Sequence, residues 1–160
     1  MMTEMTYLEA YKQFWTEAFN LHDRARRKAF WVPFAVHAVF YLTFSILILI
    51  FYQTSYNHVY QTLNFLYNVT LSVPTFSVIY RRLQDMNMTG WLALILPVLY
   101  FIIDLPEEYV NETMQLIVWF LYLICGIILL VILTFDGTEG PNRFSYDPKE
   151  SIDELNPRNY

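Results

Sequence analysis

The chain has 160 residues, of which 56% are hydrophobic, 19% aromatic and only 16% charged. A soluble domain carries about 25% charged residues, so the composition excludes a disordered chain or a coiled coil and points to a bilayer. A net charge of −5 argues against nucleic acid as a partner, because phosphate binding needs a basic surface. A single cysteine, Cys125, excludes an internal disulfide.

The first predicted element is an amphipathic helix within residues 1–22. Tyr7, Leu8, Tyr11, Phe14, Trp15, Ala18 and Phe19 fall at the spacing of one apolar face, with Glu9, Lys12, Gln13 and Glu17 opposite. Thr6 followed by Glu9 reads as a capping box, in which each side chain satisfies the other residue's backbone N–H. Such a helix is expected to lie in the plane of a membrane interface.

A four-span membrane domain is predicted over residues 23–135, with spans near 32–52, 59–80, 88–103 and 114–135. The first, Val32 to Tyr52, rises about 31 Å as a helix, which matches a hydrocarbon core of about 30 Å. The last is of similar length. The third is shorter, and a re-entrant segment competes with a full span there. Lys and Arg avoid the connection Gln53 to His58 and the connection Asp104 to Thr113, the second of which carries Asp104, Glu107, Glu108 and Glu112. Four spans put every basic residue on one side, which the positive-inside rule makes cytoplasmic. Both termini are therefore expected in the cytoplasm, and Tyr56 and Glu108 outside. Trp31, Tyr52, Tyr80, Trp91, Tyr109 and Trp119 stand near span ends, where amphipathic rings prefer the headgroup level.

The second segment carries a polar stripe. Gln61, Asn64, Asn68, Ser72 and Thr75 step by three and four residues and share one helical face. Facing lipid they would lack partners, so the stripe is expected to face the bundle and bond between helices; a polar solute path is the competing reading. His37 in the first span stands alone and reads as a core histidine. The segment from 136 to 160 reads as a polar cytoplasmic tail, with Gly137 suited to a helix C-cap of positive φ.

Three signatures border the predicted spans on the cytoplasmic side. They are Asp23-Arg24-Ala25-Arg26-Arg27-Lys28-Ala29-Phe30-Trp31, then Arg81-Arg82-Leu83-Gln84-Asp85-Met86-Asn87-Met88-Thr89-Gly90-Trp91, then Gly137-Thr138-Glu139-Gly140-Pro141-Asn142-Arg143-Phe144. Asp23 reads as an N-cap for the first span. Arg81 and Asp85, four apart, are expected to pair, which leaves Arg82 free for a phosphate, and Gly90 reads as a tight turn. Arg24, Arg27, Arg81, Arg82, Asp85, Asn142 and Arg143 form a candidate cluster for an anionic headgroup or a protein partner, in which Asp85 is expected to meet an arginine of another signature as well as Arg81.

Together the signatures resemble a family of small bacterial inner-membrane proteins, domain of unknown function 805, over nearly the whole chain. The family has Gly, Ser, His and Ser where this chain has Asp23, Arg26, Gln84 and Thr89. The resemblance implies a bacterial inner-membrane location and carries no activity. No nucleophile, acid–base or metal-ligand constellation is present in the sequence, so no enzyme, cofactor or metal is expected. The expected partners are membrane lipids and a possible membrane-protein partner. A structural or accessory membrane component is the first reading of function, and a transporter or channel subunit using the stripe is the alternative.

Overall fold

A computed structural model describes residues 5–51, 57–103, 105–106 and 108–149. The described residues form helices and turns without a strand. Tyr52, Tyr56, Asp104, Glu107 and the tail beyond Lys149 lie outside them, together with the expectations placed there.

Helix α1 is Tyr7–Thr16, shorter than the expected segment. Its N-terminus carries the capping box: Glu9 N–H donates to Thr6 Oγ1 at 3.2 Å, and Thr6 N–H donates to Glu9 Oε2 at 2.7 Å. The apolar face is divided between two environments. Ala10, Phe14 and Ala18 are buried against the protein, whereas Tyr7, Leu8, Trp15 and Phe19 remain exposed. Helix α1 packs on α2, Arg27–Phe51, and on α3, Asn57–Asp85.

The chain then turns through Met86–Thr89 into a short 3-10 stretch, Gly90–Leu94, which continues as α4, Ile95–Ile103. Helix α5, Glu112–Thr134, is capped by Asn111, whose Oδ1 accepts from Met114 N–H at 2.9 Å. Helices α2 and α5 are long and apolar enough to cross a membrane. Only 6% of the apolar window of α2 and 11% of that of α5 are buried, so their side chains cover the outside of the molecule as lipid-facing helices do. Helix α3 is long but too polar to count as a third such helix, and Gly90–Ile103 is apolar but short.

Helices α2 and α3 pack together, α4 packs on α5, and the 3-10 stretch packs on α3. The buried core gathers where all of these converge, with Phe14, Ala29, Phe30, Val78, Leu83, Ala93, Leu129 and Leu133 in one cluster. Gly90 serves this packing and not a tight turn: a Cβ there would stand 2.5 Å from the Tyr80 ring, which stacks edge-on against Trp91.

Candidate functional site

The last turn of α3 runs beyond its apolar part into Arg81, Arg82, Leu83, Gln84 and Asp85, and all five are buried, with both arginines at 0% exposure. The helix stops with Asn87 at φ 57°, while Met88 N–H donates to Leu83 C=O at 2.9 Å and Asn87 N–H to Gln84 C=O at 3.0 Å. This is the Schellman closure, with Asn where glycine is commonest.

Two guanidiniums converge on Asp85. Arg24 Nε donates to Asp85 Oδ1 at 2.9 Å, and Arg82 Nη1 donates to Oδ2. The carboxylate thus meets an arginine sixty-one residues away in sequence. The helical partner is Arg82, three residues earlier, and not Arg81. Arg82 is also not free for a phosphate. Its remaining N–H groups reach Ala25 C=O at 3.5 Å, Leu133 C=O at 3.4 Å and Phe135 C=O. Leu133 and Phe135 close α5, so Arg82 supplies donors to carbonyls that a helix C-terminus leaves unpaired. Arg24 does the same at the end of α3, through Asp85 C=O at 3.4 Å, and it binds the tail at Gly140 C=O, 2.6 Å, and Thr138 C=O. Two cations against one carboxylate leave an excess positive charge, which the negative ends of α3 and α5 offset.

Burial pushes the Asp85 carboxyl up from its ordinary range, against the pull of Arg82 and Arg24. It pushes the Arg82 guanidinium down, against the pull of Asp85. Charge-assisted contacts on both carboxylate oxygens favour the ionised form against this burial.

Arg81 turns to the opposite side of α3. Its Nη1 donates to Glu17 Oε2 at 2.7 Å, and burial lowers its pKa against the pull of Glu17 and Asp23. Ser77 Oγ lies 2.9 Å from Glu17 C=O and 2.7 Å from Asn20 C=O, and Gln84 Nε2 donates to Leu21 C=O at 3.2 Å. These contacts fasten the exit of α1 to α3. Asp23, expected as an N-cap for α2, instead accepts from Asn20 Nδ2 at 2.6 Å.

The tail folds back over the knot. Thr138 N–H donates to Asp85 C=O at 2.9 Å, and Asn142 Nδ2 donates to Gln84 C=O at 2.9 Å. Arg143 remains exposed, donates to Asn87 C=O at 3.0 Å and stands over the Phe144 ring. Gly137 is not a positive-φ cap; φ is +69° at Gly140 instead. Gly137 is required by contact, since a Cβ there would collide with the Asp85 carboxylate. Arg27, half-exposed, pairs with Asp136 at 2.8 Å and stands at the rim.

The seven cluster residues therefore meet at one end of the molecule, in two roles. Arg24, Arg82 and Asp85 are buried and consumed in bonds within the chain, Arg81 is buried with Nη1 on Glu17 and its Nε and Nη2 without a partner among the described residues, Asn142 ties the tail to α3, and Arg27 and Arg143 face outward. Glu17, Leu21, Ser77, Thr138 and Gly140 complete the arrangement; Thr138 and Gly140 lie within the third signature, and nothing in the local sequence of the other three marks them for it. Among the described residues the stripe on α3 makes no hydrogen bond between helices. Asn68 Nδ2 donates to Asn64 C=O at 2.8 Å, Ser72 Oγ to Val69 C=O at 2.7 Å, and Gln61, Asn68, Ser72 and Thr75 are exposed. His37 is half-buried beside the stripe, with Nδ1 3.0 Å from Tyr67 Oη.

Chemically the knot joins the entry to α2, the end of α3, the end of α5 and the tail. Among the described residues no group of three or more His, Cys, Asp or Glu is placed to hold a metal. No curated protein and no solved structure matches the chain. A family model described as Protein of unknown function (DUF805) matches residues 18–146. That interval begins before the first signature and ends after the last, and the chain belongs to this family.

Proposed function

We propose that the protein is a four-span component of the bacterial inner membrane, with both termini cytoplasmic, in which the buried arginine knot holds loops and tail as one rigid cytoplasmic platform. The reading is that of a structural or accessory protein without enzymatic chemistry. The observation that carries it is the internal use of Arg24, Arg82 and Asp85. Guanidiniums spent on backbone carbonyls and a carboxylate fix geometry and are not offered to a substrate. Contact with anionic headgroups or a protein partner falls to the outward cations Arg27, Arg143 and Lys12 and to the exposed Leu8 and Trp15 of α1 and Phe19 just after it. Apolar side chains bordering a lysine suit an interfacial helix.

Two measurements test this reading. In a Cys125→Ser background, a cysteine at position 88 is expected to resist a membrane-impermeant reagent in intact cells; labelling from outside would overturn the topology. Photo-crosslinking from positions 12 and 143 in native membranes is expected to capture phosphatidylglycerol or one discrete protein. Absence of both would remove the platform role.

A second reading, a transporter or channel subunit, draws on the exposure of the α3 stripe without bonds between helices. A solute flux in liposomes that Asn68→Leu abolishes would favour it.

A further inference from the structure

Polar positions on α3 recur every seven residues at Gln61, Asn68, Thr75 and Arg82, a period that keeps them on one seam. The seam starts fully buried at Arg82 and is exposed from Thr75 onward. Alongside its opening lies a cavity of about 370 Å³ between α2 and α3, open on one side and closed below by Phe14 of α1, Phe30 and Val78. This volume sits at the lower end of small-molecule sites, with room for one substituted ring and the start of a chain.

Three features define what the cavity takes. Its lining includes Phe14, Phe30, Phe34, Tyr41 and Tyr67, and no Lys, Arg, Asp or Glu. Aromatic walls favour a flat ring in stacked or edge-on contact, and a site without a cation gives no support to a phosphate. The lining also holds free hydrogen-bonding atoms. Among the described residues neither the Thr75 nor the Tyr41 hydroxyl has a hydrogen-bond partner, and Asn68, which spends its Nδ2 on Asn64, leaves Oδ1 open. Unpartnered hydroxyls at membrane depth are costly, and a neutral ligand bearing carbonyl oxygens would satisfy both of them.

We infer that this cavity binds the ring of a neutral, carbonyl-bearing isoprenoid lipid of the quinone class, with the ring against Thr75 and Tyr41 and the tail leaving between the helices into the bilayer. The inference rests on the proposed membrane embedding of α2 and α3, which the labelling of position 88 reads independently.

The test uses the full chain in nanodiscs of phosphatidylethanolamine and phosphatidylglycerol, with decylubiquinone as probe. Trp15, whose ring lies 6.0 Å from that of His37 at the cavity edge, reports binding by fluorescence quenching. Saturable quenching is expected, reduced in a Trp15→Phe background and abolished when Trp31→Phe is added, since Trp31 packs on the cavity-lining Phe30 and Phe34. Thr75→Val, which removes the hydroxyl and keeps the shape, is expected to weaken binding at least threefold, and Ala38→Phe, which fills the cavity, at least tenfold. Val131→Phe, on the exposed side of α5, is expected to leave it unchanged. Quenching that rises linearly with probe, or that neither Thr75→Val nor Ala38→Phe alters, would overturn the assignment. So would a phospholipid retained in the purified chain that the probe fails to displace. In a chain whose position 88 is shielded as expected, these failures count against the site and not against the topology.

Discussion

The Asp85 carboxylate occupies the space that a side chain at position 137 would fill. The absence of a Cβ at Gly137 lets the tail cross the knot closely enough for Thr138 N–H to reach Asp85 C=O at 2.9 Å. Gly137→Ala is therefore expected to destabilise the protein by about 1–3 kcal/mol, the range for inserting a methyl into a packed site. Gly140→Ala meets no neighbour within 4 Å and carries only the strain of φ +69°, about 1–2 kcal/mol. Thermal unfolding in detergent compares the two, and an equal loss would mean that the close approach does not matter.

Arg82 is expected to tolerate no replacement. Alanine would leave Asp85 with one guanidinium and strip donors from Ala25, Leu133 and Phe135 carbonyls; breaking a buried pair in this way costs about 3–5 kcal/mol. Lysine keeps the charge but cannot reproduce a planar fork spread over four acceptors, so Arg82→Lys should recover less than half of the loss. Arg27→Ala, at a half-exposed pair, should cost under about 1 kcal/mol. Chemical denaturation of the three variants side by side checks the ranking.

Local features were legible in the sequence, and long-range choices were not. The Thr6–Glu9 box depends on four consecutive residues, and it forms as read. On a helix, Asp85 can meet Arg81 or Arg82 equally well. The rotation of α3 decides between them, aiming Arg82 at the end of α5 and Arg81 at Glu17 of the α1 exit. That rotation follows from packing of Val78 and Leu83 in the common core, which no spacing rule contains. The meeting of the three signatures could be argued from span ends on one side. The demand on Gly137 could not, because it comes from a side chain more than fifty residues away. The partners of the stripe were not legible for a related reason: periodicity places Asn68 on a face without showing whether a neighbouring helix reaches it.

The capping box gives α1 an acid-sensitive start. Backbone and side-chain hydrogen bonds from Thr6 hold the Glu9 carboxyl below its ordinary value of 4.5. The folded form thus favours the carboxylate. Its contribution is fully present above that ordinary value and is lost as pH falls through the lower, folded one. Amide exchange in the first turn of α1 is expected to quicken over this acid window, and Glu9→Gln to abolish the dependence. Equal pH profiles for parent and variant would show that the box does not hold the helix.

Gln84 presents the last case. Its Nε2 donates to Leu21 C=O at 3.2 Å, but its Oε1 is buried without a partner. An unsatisfied buried acceptor costs about 1–3 kcal/mol. A neutral imidazole at this position can direct one N–H to Leu21 and, through its other ring nitrogen, accept from Arg81 three residues earlier, whose Nε and Nη2 are buried without a partner. Gln84→His is expected to stabilise the protein by about 1 kcal/mol above neutral pH. The gain depends on the neutral ring, since Gln84 is 4% exposed and lies one turn from Arg81, where burial and a neighbouring cation both oppose protonation. The folded pKa of the new histidine should fall below the unfolded value of about 6.5. Stability gained above that value is then lost as pH falls from it toward the folded one. Unfolding midpoints at pH 8 and pH 5.5, taken as the difference between variant and parent, isolate the contribution of the new histidine. A gain at pH 8 that shrinks at pH 5.5 supports the account; a gain that is constant across both, or a loss at pH 8, would show that the orphaned oxygen is not the source of the strain.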